Sequence, residues 1–198
     1  MEKSLTSGDL KVKVLSALKV VCEARLFDRS LMASPVVFSI YEMGLSGSRQ
    51  FNVVAELRYN YRNGLADYKH WFINCDDAEI VTVDTLKRFL VSLRHFSEHN
   101  IRKIFITSRY PFNRGAVRYA FEKRIGLARV SPAAANKKPD TGSDLILGIG
   151  PLELKKALCN NEFGIRRKSF YGFTSRGKIE HFGSLENYFR REMFNIIP

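Results

Sequence analysis

Between Lys103 and Val130 the chain reads strand, helix, strand, and no other feature constrains the fold as tightly. Lys103–Thr107 (KIFIT) is an apolar run too short for a helix and bounded like a buried strand. Phe112 to Lys123 has Ala116, Tyr119 and Ala120 on one helical face, and Gly126 marks its stop. Leu127–Val130 (LARV) is a second short strand. Two strands joined through a helix form a crossover, which makes them parallel neighbours in one sheet. The expected fold class is therefore α/β or α+β, a mixed β-sheet flanked by helices.

The flanking segments extend this plan. Asp9 to about Ala24 carries Leu10, Val14, Leu18 and Val21 at helical spacing, with Asp9 or Ser7 to cap it. Pro35–Tyr41 reads as a strand. Gln50–Tyr59 alternates, Phe51, Val53, Ala55 and Leu57 against Asn52, Val54, Glu56 and Arg58, which is the pattern of a half-buried strand. Asn63–Gly64 marks a turn, and Tyr68–Cys75 returns as the antiparallel partner. Asp84 to about His99 is a helix with a stripe of Leu86, Phe89, Leu90, Leu93 and Phe96. Residues 1–132 then form one core, and 133–144 have the composition of a linker or loop. Residues 145–198 read as a C-terminal α/β extension packing on that core. They hold a short helix at Pro151–Cys159, a hairpin of Ser169–Thr174 with Lys178–Phe182, and a last helix from Ser184 to Met193 capped by Ser184.

Charge narrows the partners. The net charge is +12, and residues 101–130 hold 8 basic side chains against 1 acidic. Residues 51–100 hold 6 against 7. So concentrated an excess favours an anionic partner, DNA or RNA first. Arg109 and Tyr110 fall at the C-terminal end of KIFIT, the end where α/β ligand sites gather. Arg114 and Arg118 share a helix face, and Lys123 ends that helix. Tyr110 and Phe112 interleave with these cations and could stack on bases. Arg49, and Arg166 and Arg167 beside Phe170, Tyr171 and Phe173, extend the candidate surface. An acidic protein partner docking on the same basic face is the further alternative, and a homo-oligomer is compatible with it.

Other classes are set aside. With 45% hydrophobic residues the chain can offset its ordering entropy. No stretch approaches the ~20 uncharged apolar residues of a bilayer span, so no membrane partner is expected. Lys11, Lys13 and Lys19 interrupt the one segment resembling a secretory leader. Cys22, Cys75 and Cys159 lack metal-ligand spacing and read as reduced thiols of a cytoplasmic protein.

Several segments together resemble the restriction-endonuclease-like superfamily, the PD-(D/E)xK nucleases, and within it the Mrr-type branch. They are Arg49–Val54, Phe72–Asp76, the helix from Val83 to Phe96, and KIFIT with Asn113–Ala116, Tyr119–Ala120 and Ile125–Leu127. The resemblance covers roughly residues 10–132 and implies a nuclease-like fold. It also implies two carboxylates holding Mg²⁺ beside a Lys. Carried across, those positions fall on Asn52, Asn74 and Asp76. Amides bring no charge to a hard cation, so on this alignment the catalytic motif is degenerate. The reading is then a nucleic-acid-binding protein with no cofactor. The alternative is an active Mg²⁺-dependent endonuclease with migrated residues: Glu56 and Asp76 as metal ligands, and Lys69 or Lys87 as the cation.

Overall fold

In the computed structural model the described residues are 7–27, 36–42, 52–60, 66–76, 79–96, 100–108, 110–130, 151–160 and 170–194. They form five helices and seven strands. In chain order these are α1 (Ser7–Phe27), β1 (Val36–Glu42), β2 (Val53–Asn60), β3 (Ala66–Cys75), α2 (Val83–Ser92), β4 (Ile101–Thr107), α3 (Arg114–Glu122), β5 (Ile125–Val130), α4 (Pro151–Cys159), β6 (Phe170–Phe173), β7 (Ile179–His181) and α5 (Leu185–Phe194). The strands lie in one mixed sheet in sequence order. β1, β2 and β3 form an antiparallel meander. β3, β4 and β5 are parallel, so KIFIT and LARV pair as the crossover requires. β6 and β7 return antiparallel at the β5 edge.

Helices cover both faces of the sheet. On one face Val53, Ala55, Leu57, Trp71, Ile73, Ile104, Ile106, Ala128 and Val130 lie in one core with Leu10, Val14 and Leu18 of α1 and Tyr188 and Phe189 of α5. On the other, Val54, Phe72, Phe105, Leu127 and Phe173 meet Leu86 and Phe89 of α2, Ala116 and Ala120 of α3, and Leu158 of α4. Every residue of β5 is buried, as strands covered on both faces must be. The first half of β2 is also buried on both faces, and only Glu56 and Arg58 restore the half-buried pattern expected of the whole strand.

The segment after residue 150 is continuous with this core. It supplies two strands of the sheet and α5, which packs beside α1. Ser184 Oγ accepts the Asn187 N–H at 3.2 Å, the cap expected for α5. The linker region 133–144 lies outside the described residues.

Two local expectations are corrected. The helix expected to reach His99 ends at Ser92, whose hydroxyl donates to the Phe89 carbonyl at 2.7 Å. The apolar spacing persists beyond it because Phe96 still reaches Phe72, with ring centroids 4.4 Å apart. Gly126 does not stop α3. Arg124 does so, in the left-handed region at φ 52°, where glycine is the usual occupant. Gly126 lies inside β5, and a Cβ there would fall 2.6 Å from Tyr188 Oη and 2.9 Å from Ser175 N. Its missing side chain is what lets α5 and the β6–β7 turn close onto β5.

Candidate nucleic-acid interface

Asn52, Asn74 and Asp76 lie together at the C-terminal end of β3. Asn52 is 6% exposed and precedes β2. Its amide nitrogen donates to the Cys75 carbonyl at 2.9 Å, and its Oδ1 accepts the Cys75 N–H at 3.0 Å. The side chain thus stands in for a backbone amide and extends the β2–β3 ladder by one step. A carboxylate could not do this, because it has no proton to give the carbonyl. Asn74 is buried on the face that holds Phe72. Asp76 is partly exposed, and its N–H donates to the Ile106 carbonyl at 3.1 Å.

The candidate replacements do not converge. Glu56 is opposite His70 in the ladder and meets its Nε2 at 2.9 Å. Asp76 lies six residues after His70, just past the end of β3 and roughly 20 Å away at strand rise. Lys69 alternates with His70 and belongs to the opposite face of the sheet, paired with Leu57. Lys87 is exposed on α2, with its Nζ 3.5 Å from Asp84 Oδ1. Among the described residues no group of three or more His, Cys, Asp or Glu side chains could hold a metal. Glu56 and Asp76 therefore do not fit as ligands of one Mg²⁺. The cysteines are free thiols, and burial pushes Cys22 up to about 12 and raises Cys159. Both are poor nucleophiles at neutral pH.

The basic window divides into two populations. Arg129 is 3% exposed and donates to the carbonyls of Ala157 and Asn160 at 3.2 and 2.6 Å, so it ties the C-terminal end of α4 to β5. Arg114, Arg118, Lys123 and Arg124 are exposed along and just beyond α3. Arg118 Nε bonds Glu122 Oε1 at 2.9 Å. Arg114 and Arg118 line a groove of about 610 Å³ with Val117, Phe121, Lys155 and Ile179. Tyr110 is partly exposed, and its carbonyl accepts the Thr107 hydroxyl at 2.8 Å. Phe112 is 1% exposed in the core and cannot stack on a base. Phe121, which the sequence did not single out, is 53% exposed over Phe173. Arg49, Arg109, Arg166 and Arg167 lie outside the described residues.

A second cleft, of about 340 Å³, adjoins the groove through Phe121 and Phe173. Arg102 at the start of β4, Arg124 just before β5 and Arg176 in the β6–β7 turn line it, with Thr174, Ser175 and Gly177. It lies at the N-terminal ends of the parallel strands, opposite to the end expected from KIFIT. Beneath it the Glu192 carboxylate is fully buried. Ser175 donates to it through both its backbone N–H, at 2.7 Å, and its hydroxyl. Burial pushes the Glu192 carboxyl up, while the Ser175 bonds and the nearby Arg102 and Arg176 guanidiniums pull it down. Gly177, at φ 80°, completes the turn against the Phe121 ring. The residues of this cleft come from distant segments and carry no shared spacing. The one local signal is the turn between the two arms of the C-terminal hairpin, which holds Ser175, Arg176 and Gly177.

No helix among the described residues is long and apolar enough to cross a membrane. Searches of protein-family models, curated proteins and solved structures give no match to the chain.

Two outcomes are expected. Asn52→Asp sets a carboxylate oxygen against the Cys75 carbonyl, and thermal melting at neutral pH should fall by roughly 5 °C or more. The deficit should shrink towards pH 4, where the new carboxyl regains a proton to donate. An unchanged melting temperature would contradict the ladder role. For Glu192, a raised folded value means the native state holds the proton more tightly than the unfolded chain. That stabilisation is complete below ~4.3, the ordinary glutamate value, and is lost as pH rises through the raised folded value. Glu192→Gln, which can keep both Ser175 bonds, should therefore gain in melting temperature over the parent as pH rises from 4 to 8. A difference independent of pH would count against the buried carboxylate.

Proposed function

We propose that this chain is a nucleic-acid-binding protein on a restriction-endonuclease-like fold, with a nuclease position that no longer cuts. One observation carries the reading. Arg114, Arg118, Lys123 and Arg124 follow one another along and beyond a single exposed helix, with the open ring of Phe121 between them. From Arg114 to Arg124 the track is about 15 Å long at helical rise. That length covers four to five phosphates of one duplex strand, at about 3.4 Å each. Cations along it would neutralise phosphates without reading sequence, while the aromatic ring would stack on an unpaired base. DNA and RNA both offer these features.

The fold supports the resemblance without carrying it alone. The order helix, three-strand meander, helix, strand, helix, strand agrees with the segments on which the resemblance rests. At the nuclease position, the commitment of Asn52 to Cys75 and the separation of Glu56 from Asp76 favour binding over Mg²⁺-dependent cleavage. A basic protein-docking face is less well matched, since an exposed aromatic between cations suits a base better than a carboxylate.

Fluorescence anisotropy with labelled single- and double-stranded oligonucleotides over a salt series tests this. Binding should weaken steadily with salt. Arg114→Gln should reduce the slope of log affinity against log salt by about 1. Glu122→Gln, which frees Arg118, should tighten binding. Absence of binding at low salt to every DNA and RNA probe would overturn the proposal.

A further inference from the structure

We propose that the cleft between the β6–β7 turn and the starts of β4 and β5 is a pocket for a phosphate monoester. The ester is assigned to the terminal phosphate of a nucleic-acid chain, and only that assignment rests on the function proposed above.

The chemistry of the pocket comes from its charge balance. Arg102, Arg124 and Arg176 reach it from three separate elements. Among the described residues none of the three makes an ion pair, whereas Arg118 on the adjoining groove is paired with Glu122. The nearby carboxylate, Glu192, is buried beneath the turn with both its oxygens held by Ser175, and it offsets at most one of the three charges through its interaction with Arg102 and Arg176. Three guanidiniums around about 340 Å³ exceed what one phosphodiester charge calls for. A monoester carries about −1.5 to −2 at neutral pH and three terminal oxygens, which match planar N–H donors from several directions. Thr174 adds a donor: its Oγ1 accepts the Lys178 N–H at 3.1 Å, which leaves its own hydroxyl proton uncommitted by that bond.

Two further features fit a built site. Arg124 holds a backbone conformation that glycine would adopt without strain, so the chain keeps a cation there at a conformational cost. The cleft also meets the α3 groove at Phe121 and Phe173. A strand following Arg114 and Arg118 along α3 would therefore arrive at this cleft, with a base against the Phe121 ring and its end among the three arginines.

The test compares one oligonucleotide with a 5′-phosphate, a 3′-phosphate or only hydroxyl ends, together with inorganic phosphate as a small probe read by thermal shift. One phosphorylated end should bind about tenfold more tightly than the hydroxyl form, as expected for loss of one charge-assisted contact set. Arg176→Gln and Arg124→Gly should abolish that preference, while Arg114→Gln should weaken all three probes alike. Arg124→Gly should also raise the melting temperature, because glycine relieves the strain, so misfolding cannot explain its loss of preference. Equal affinity for all three ends, with no thermal shift by inorganic phosphate, would overturn the pocket. Failure of every oligonucleotide to bind, with a phosphate-induced shift that the two variants lose, would uphold the pocket and overturn the nucleic-acid reading.

Discussion

The burial of β5 and of most of β4 between two helical layers governs where the cations of residues 101–130 can go. All six residues of β5 are buried, as are five of the seven in β4. A cation within this layer must find backbone acceptors, as Arg129 does at the end of α4. The other described cations of residues 101–130 lie at the start of β4 and on α3 and just beyond its end, and Arg176 joins them from the β6–β7 turn. Because β6 runs antiparallel to β5, that turn comes back beside Arg124, opposite Arg102. The arginine cleft is thus a consequence of strand direction. The same layer requires Gly126, since any side chain there would push Tyr188 and Ser175 off the sheet.

Asn52 follows a related logic. Its amide carries a donor and an acceptor in one planar group, where a carboxylate would carry acceptors only. The structure uses both, on the N–H and the carbonyl of the same residue, Cys75. The position therefore has a structural use that a metal-binding carboxylate could not share. Glu56 likewise has a partner of its own in His70, far along the strand from Asp76.

The crossover was readable because KIFIT and LARV are short, apolar and separated by a helix, and chain geometry then permits one pairing. Caps were readable where the signal is local, as with Ser184. The end of α2 was not, because Leu93 and Phe96 keep facing the core after the helix has stopped. Phe112 and Phe121 look equivalent in sequence, and only packing decides that the first is core and the second open. Asn52 was legible as a polar position of a strand, but its pairing with Cys75 depends on a ladder register that spacing does not reveal. Arg102, Arg124 and Arg176 lie in three segments that meet only after the sheet forms, and nothing local ties Ser175 to Glu192.

The site at which an oligonucleotide contacts this fold is the most direct test of the proposed binding face. Photo-crosslinking of an oligonucleotide carrying a halogenated uracil, followed by peptide mapping, reports it. Adducts are expected on the peptide containing Phe121 and on the turn from Thr174 to Lys178. Adducts confined to the peptides around Asn52 and Asp76, with none on α3 or the turn, would contradict a binding face on α3.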